Sequence, residues 1–264
     1  MKKILLFGLP GAGKSALAAK LSEYLDADWY NADKIRTQYN DWDFSPEGRH
    51  RQMRRMVERA IFSCNNQRYS ICDFVCPTQA LRREFCADIT IFMDTIEEGR
   101  FEDTNKVFER PLLENITCTI TKDKWWTEDW IEYWARVLMV MIKDHEFKTK
   151  APTVQMLGRY QPWHDGHLAV FERAIAKTGQ VAILVRDMEP DEKNPWNSCD
   201  VVQNIHYNLF NYAGRFRTII VPNIVNITYG RDVGYKIEQE IFDDAIHAIS
   251  ATKIREQMKA DGRL

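Results

Sequence analysis

The sequence predicts an α/β protein made of two doubly wound parallel sheets. Three observations carry that expectation. Short apolar runs alternate with helix-period segments along the chain, the order that yields parallel sheets covered by helices. A glycine-rich turn, Gly8-Leu9-Pro10-Gly11-Ala12-Gly13-Lys14-Ser15, joins the first apolar run to the first helical segment. After Lys148-Thr149-Lys150-Ala151-Pro152, a polar stretch closed by proline, the same plan of strand, turn and helix begins again. Two domains are therefore expected, residues 1–150 and 151–264.

Size and composition agree with that division. At 264 residues the chain is long for one domain and comfortable for two, and 45% hydrophobic with 12% aromatic residues describes globular material. The formal charge is −2, and Lys and Arg are spread along the chain, so nucleic acid is not an expected partner and small anions are. No apolar run approaches the ~20 residues of a membrane span. The four apolar residues after Lys2-Lys3 are too few for a signal peptide. No membrane association is expected, and a cytoplasmic location is. The six cysteines form no C-x-x-C pair and are expected to be reduced and buried. Oligomeric state is not legible.

In order, Ile4 to Phe7 reads as a buried strand and the turn after it fits G-x-x-x-x-G-K-S/T. Gly8, Gly11 and Gly13 permit backbone conformations closed to other residues. Successive N–H groups around Ala12 can then face phosphate oxygens at the positive end of a helix. Lys14 would set a point charge on the outer phosphates, and the Ser15 hydroxyl would ligate Mg2+. Asp28 to Asp33 reads as a second strand ending in a carboxylate, at the sheet edge where ligands bind. A turn at Asp43 to Arg49 feeds a helix with Arg51, Arg54, Arg55 and Arg59 on a solvated face. Tyr69 to Val75, Ile89 to Asp94 and Ile116 to Ile120 read as further strands. The charged, strand-poor segment Glu97 to Pro111 suits a lid over phosphates. Thr127 is expected to cap a helix through Met141, with Glu128 and Asp129 in its first turn and a core stripe of Trp130, Trp134, Leu138 and Met141.

The first domain resembles the adenylylsulfate kinase branch of the P-loop NTPase fold over nearly its whole length. Beyond the loop, the likeness rests on Asn31-Ala32-Asp33-Lys34-Ile35-Arg36, on Phe44-Ser45-Pro46-Glu47 with Arg49, and on Phe74-Val75-Cys76-Pro77 with Arg82. The resemblance implies that Asp33 lies beside an acceptor hydroxyl and that Arg36, Arg49, Phe74 and Arg82 bind the acceptor. It implies ATP as phosphoryl donor. The chain departs from that family at Asn31, where an aspartate is usual, at Cys76, where a serine is usual, and over Gly99 to Arg110, which lacks the basic lid pattern.

In the second domain Val154 to Leu157 reads as a strand entering Gly158-Arg159-Tyr160-Gln161-Pro162-Trp163-His164-Asp165-Gly166-His167, with a helix behind it. Val181 to Val185 and Thr218 to Val221 read as strands, Asp200 to about Asn211 as a helix, and Val233 to Ile237 as another strand. Ile249-Ser250-Ala251-Thr252-Lys253-Ile254-Arg255 is a hydroxyl-rich helix start. Metal ligation is the rival role for His164 and His167, but a third ligand at suitable spacing is missing from the sequence nearby. This half resembles the nucleotidylyltransferase superfamily, a small Rossmann-like fold, through H-x-G-H at His164 to His167 and I-S-x-T-x-I/L-R at Ile249 to Arg255. Gly158 to Trp163 is most similar to the form in archaeal-type nicotinamide-mononucleotide adenylyltransferases and related bifunctional kinases, and Asn194-Pro195-Trp196 to a further segment. The resemblance implies that His164 and His167 donate to a nucleoside triphosphate, ATP or CTP. Gly158, Ser250, Thr252 and Arg255 would bind its phosphates and Arg159 the acceptor phosphate.

Together these features predict a bifunctional enzyme using ATP and Mg2+ on small molecules and nucleotides. A kinase would make a phosphate monoester, and a nucleotidylyltransferase would use such a phosphate as acceptor and release pyrophosphate. Making NAD from ribosylnicotinamide follows this order, as does making a nucleotide-activated sugar or polyol. Sulfate activation, with adenylyl transfer first, is the alternative, and a nucleotide-sensing regulator without turnover is a third.

Overall fold

Strands β1 (Lys3–Phe7), β2 (Asp28–Asn31), β3 (Ser70–Phe74), β4 (Ile89–Asp94) and β5 (Cys118–Thr121) form one parallel sheet in the order β2-β3-β1-β4-β5. The computed structural model describes residues 1–122, 129–228, 230, 234, 236–241 and 249–261. Two compact units divide the chain, Met1–Leu138 and Met139–Leu264. Strands β1 and β3 are buried on both faces almost throughout, which is why they read as continuous apolar runs. Strand β1 lies between β3 and β4, so its carboxyl end opens where the strand order reverses, the place where parallel sheets hold ligands. The register pairs Phe7 with Phe74 and Asn31 with Asp73. The ends of β1, β2 and β3 therefore come level.

Helix α1 (Lys14–Leu25) leaves the glycine-rich turn directly, with Gly13 as its cap at φ 88°. The apolar run suggests that the second strand continues to Asp33, but Asn31 ends it. Its side chain accepts from the Lys34 N–H and caps helix α2 (Ala32–Tyr39), placing Asp33 in the first helical turn. Ser45 and Pro46 start α3 (Pro46–Asn65), and Thr78 caps α4 (Gln79–Phe85). The charged, strand-poor segment expected as a lid contains a short helix, α5 (Glu102–Val107). In α6 (Trp130–Lys143), Trp134 and Leu138 are buried as the stripe predicts. The expected cap at Thr127, with Glu128, lies outside the described residues.

In the second unit β6 (Val154–Gly158), β7 (Val181–Arg186) and β8 (Phe216–Val221) form a parallel sheet in sequential order. Helices α7 (Asp165–Thr178) and α8 (Ser198–Asn208) follow β6 and β7. The latter starts earlier than expected because the Asn197 side chain caps it, and ends at Asn208, ahead of a 3-10 turn at Phe210–Tyr212. Helix α9 (Ala251–Ala260) comes last. Of the strand expected at 233–237, Gly234, Lys236 and Ile237 are not in strand, and Val233 and Tyr235 lie outside the described residues. Among the described residues β6 is thus paired on one side only. Phe171, Ile183, Val185, Ile205 and Phe216 centre this unit's core.

All six cysteines are free; Cys72 and Cys76 are buried as expected, whereas Cys86 and Cys199 are exposed. Among the described residues, no helix is long and apolar enough to cross a membrane.

Candidate functional site

The first site is a cleft of about 660 Å³ at the carboxyl ends of β1, β2 and β3, within the range of small-molecule sites. Its floor is the glycine-rich turn. Gly8, Gly11 and Gly13 all have positive φ. A Cβ on Gly8 would lie 2.6 Å from the Met93 carbonyl oxygen, and one on Gly13 would lie 2.9 Å from the Trp130 ring. Neither position tolerates a side chain. Lys14 is 8% exposed, and its Nζ donates to the Leu9 carbonyl at 2.8 Å, spanning the turn. Burial pulls its pKa down to about 8, against the opposing pull of Asp73 and Asp33.

Asn31 joins the pieces. Its Nδ2 donates to Ser15 Oγ at 3.1 Å and to Asp73 Oδ1 at 2.9 Å. Trp29 Nε1 donates to the other Asp73 oxygen at 2.9 Å. Asp73 is 2% exposed; burial raises its pKa, and the hydrogen bonds from Asn31, Trp29 and Ser15 oppose that rise. This pairing gives the departure at Asn31 a physical reason. A carboxylate at 31 would face the Asp73 carboxylate at hydrogen-bond distance and repel it, whereas an amide donates to it. Ser15 and Asp73 together supply only hard oxygen ligands, which suit Mg2+ better than softer metals.

The outer wall carries cations on aromatic faces. Arg36 is 5% exposed and lies 4.5 Å above the Phe44 ring, while its Nη1 donates to the Asp41 and Asp43 carbonyls at 3.0 Å each. Arg49 sits 5.8 Å from the same ring and donates from Nε to the Phe44 carbonyl at 2.7 Å. Asp33, Arg36, Arg49 and Phe74 all line the cleft. Arg82 does not, contrary to its expected part in acceptor binding. Its guanidinium donates to the carbonyls of Cys76, Pro77 and Glu109 and stacks 5.1 Å from Phe7, so it ties backbone together.

Sequence reasoning missed Asp73, Arg100 and Thr104, which also line this cleft. For Asp73 a signal existed. A lone carboxylate inside a fully buried strand is costly unless it has partners or work.

The second constellation is built at the start of α7. His164 is the cap residue, in extended conformation, and His167 follows in the first turn. Their rings stack with centroids 3.7 Å apart. Gly166 makes this possible, since a Cβ there would lie 3.0 Å from His164 Cε1. Tyr160 and Trp163 pack around His167 at 5.0 and 5.4 Å. The Nδ1 atoms of both histidines are buried, with no hydrogen-bond partner among the described residues. Burial lowers both pKa values, that of His167 to about 3 with help from the neighbouring ring. Both imidazoles are therefore neutral near pH 7.

The sequence-distant closing segment meets this turn. Arg255 Nη1 donates to the Gln161 carbonyl at 2.7 Å and its Nη2 to Thr252 Oγ1 at 3.2 Å. Ser250 is the cap residue of α9, with no side-chain capping bond. The Gln161 side chain pairs both ways with the Trp196 backbone, at 2.8 and 3.1 Å, and Arg159 Nη1 lies 3.5 Å from Asn194 Oδ1. Gly158 faces the Tyr160 ring, where a Cβ would lie 2.8 Å from it.

Comparison with known proteins bears on the first site. No curated protein matches the chain. Among solved structures, the APS kinase CysC of Mycobacterium tuberculosis in complex with AMPPNP and APS is 22% identical, with a TM-score of 0.45, covering 54% of this chain and 97% of that one. Shikimate kinase from Acinetobacter baumannii in complex with shikimate is 20% identical, with a TM-score of 0.40 and coverage of 56% and 96%. A gluconokinase from Sinorhizobium meliloti is 14% identical, with a TM-score of 0.35 and coverage of 46% and 83%. These likenesses are distant, and the substrates of those kinases do not identify the substrate here. Residues 2–108 match the adenylylsulphate kinase family model, and with the glycine-rich turn between β1 and α1 they make the N-terminal part of the chain an adenylylsulfate-kinase-like P-loop kinase domain.

Proposed function

We propose that the chain is a bifunctional enzyme, an ATP-dependent kinase of a small hydroxyl acceptor joined to a nucleotidylyltransferase that acts on a phosphate acceptor. The observation that carries the proposal is the presence of two separate turns, each opening a helix behind a parallel strand, where the helix start can hold an anion. In the first, the N–H groups of Gly11, Gly13, Lys14 and Ser15 and the Lys14 ammonium would hold the triphosphate, the Ala12 N–H being bonded to the Leu9 carbonyl. Asp33 would orient the acceptor hydroxyl or take its proton as the oxygen attacks the γ-phosphorus and ADP leaves. Arg36 and Arg49 would grip an anionic group of the acceptor. Such alignment and charge compensation are what phosphoryl transfer needs. Ser15 and Asp73 would hold Mg2+, which supplies charge neutralisation on the phosphates when bound.

In the second site His164 and His167, being neutral, would donate hydrogen bonds to the triphosphate without changing charge. Ser250, Thr252 and Arg255 would bind the outer phosphates, and Arg159 the acceptor phosphate. An acceptor phosphate oxygen attacks the α-phosphorus of ATP or CTP, the bond to the β-phosphate oxygen breaks, and pyrophosphate leaves; no enzyme nucleophile is involved. The meeting of Arg255 with Gln161 supports this assignment, because it brings the two signatures of the resemblance together. A narrower acceptor, adenylylsulfate, is favoured by the family match over residues 2–108, which would make the chain part of sulfate activation.

Purified protein with MgATP or MgCTP and a panel of ribosylnicotinamide, adenylylsulfate and polyols tests both halves. Lys14→Ala is expected to abolish ADP formation and spare pyrophosphate release from a phosphorylated acceptor. His164→Ala is expected to do the reverse. Loss of both activities in either variant contradicts the division, and no triphosphate consumption with any acceptor leaves a nucleotide sensor as the better account.

A further inference from the structure

We propose that Thr95, a buried residue just past β4, is a positioning residue that aims the Gly13 N–H into the phosphate-binding turn. The inference rests on the proposal that this turn binds ATP. Thr95 is 3% exposed, and its hydroxyl donates to the Ala12 carbonyl oxygen at 2.9 Å, across 83 residues of sequence. That carbonyl and the Gly13 N–H belong to one peptide unit. In a trans peptide the two groups point in opposite directions. Tethering the oxygen down onto the end of β4 therefore turns the N–H up and away from Thr95, toward the concave side of the turn.

The surroundings leave that peptide little freedom. The end of β4 supports the turn at two further points: the Met93 carbonyl beneath Gly8, and the Ile96 side chain 3.6 Å from where a Gly11 Cβ would stand. Gly13 sits at φ 88°, with the Trp130 ring closing its other side. The Gly13 N–H itself has no hydrogen-bond partner among the described residues. On its Gly13 side this peptide is free to flip, since glycine accepts both signs of φ. A flip would point the carbonyl oxygen at the phosphates and replace attraction by repulsion. The Thr95 hydroxyl holds the peptide against it.

The test compares Thr95→Val, which replaces the hydroxyl by a methyl of similar size, with Thr95→Ser, which keeps the hydroxyl. MgATP affinity is measured on the full chain by titration calorimetry. Thr95→Val is expected to bind MgATP about tenfold more weakly, the scale of one hydrogen bond to a charged group. Thr95→Ser is expected to stay within about twofold of the unmodified protein. Rescue by serine distinguishes aiming from packing, because the lost methyl would harm a merely structural role. Equal affinity in Thr95→Val, or equal weakening in both variants, overturns the proposal. If Thr95→Val does not fold, Thr95→Ala against Thr95→Ser decides in the same way. Failure of the unmodified protein to bind MgATP overturns the ATP site itself, a result distinct from either.

Discussion

The two candidate sites share a plan and differ in what holds them. At the first, polar side chains do the holding: Asn31 reaches Ser15 and Asp73, Trp29 closes on Asp73, and Thr95 tethers Ala12. At the second, rings sit at the centre: His167 lies among His164, Tyr160 and Trp163, with polar links around them through Gln161, Arg255 and the Trp163 N–H, which donates to Asn204 Oδ1. The sheets differ in the same sense. Strand β1 is flanked on both sides, whereas β6 is paired on one side among the described residues. A site meant to hold a dication beside a triphosphate needs fixed charges, and fixed charges need a hydrogen-bonded shell inside a low dielectric. Where the central donors are two imidazoles, packing can shape them, and burial keeps them neutral.

The contrast breaks most sharply at Asp73. Asp73→Asn keeps the size and a hydrogen-bonding partner for Asn31 but removes the carboxylate next to Lys14 and Ser15. ADP formation should fall about a hundredfold, the scale of deleting one electrostatic group from a transfer site, while pyrophosphate release stays unchanged. Steady-state assay of both products checks this. An unaltered kinase rate would mean that the polar shell is scaffolding only.

A smaller effect is expected at Gly166. Gly166→Ala puts a methyl 3.0 Å from His164 Cε1 and 3.1 Å from its Nδ1, so the ring must shift by a few tenths of an ångström on His167. Pyrophosphate release should fall about tenfold, since displacements below an ångström already degrade alignment, with ADP formation untouched. A crystal structure of the variant with His164 unmoved would show that packing does not set the ring's position.

Why one site was more legible than the other follows from what is local. The turn from Gly8 to Ser15 and that from His164 to His167 are contiguous, and each announces itself within ten residues. Asp73 and Thr95 are not contiguous with anything they serve. Their roles exist only because the sheet order sets β3 and β4 on either side of β1, and strand order is not written in periodicity. Arg82 shows the opposite failure. Its type and its place after Cys76-Pro77 suggested an anion ligand, but three backbone carbonyls lie within its reach, so its donors are spent inside the fold. The cap at Asn31 was hidden because an Asn before Ala-Asp continues an extended run as readily as it starts a helix. The amide's bonds to Ser15 and Asp73 fix its oxygen where the Lys34 N–H can reach it.

The weakest expected difference is in pH dependence, and it follows from the kind of shell each site has. In the second unit burial lowers the pKa of His167 to about 3 and that of His206, whose Nε2 is bonded to Thr218 Oγ1, to about 4. Unfolded, both would titrate near the ordinary value of about 6.5. Between the folded and unfolded values the unfolded chain binds more protons, so stability falls as pH drops below about 6.5 and is unaffected by these groups above it. In the first unit burial raises the pKa of Asp73, which acts with the opposite sign. There the folded form binds the proton more readily, so acid relieves part of the cost of burying that carboxylate. Amide exchange, corrected for intrinsic rates, should therefore show protection in β7 dropping between pH 7 and pH 5 more than protection in β1. His206→Gln, which retains a partner for Thr218, should flatten the β7 response by removing the more deeply buried of the two imidazoles. Parallel pH dependence in both strands would mean that neither neutral histidine is linked to the opening of its sheet, and the contrast between a charged shell and an aromatic one would then lose its thermodynamic content.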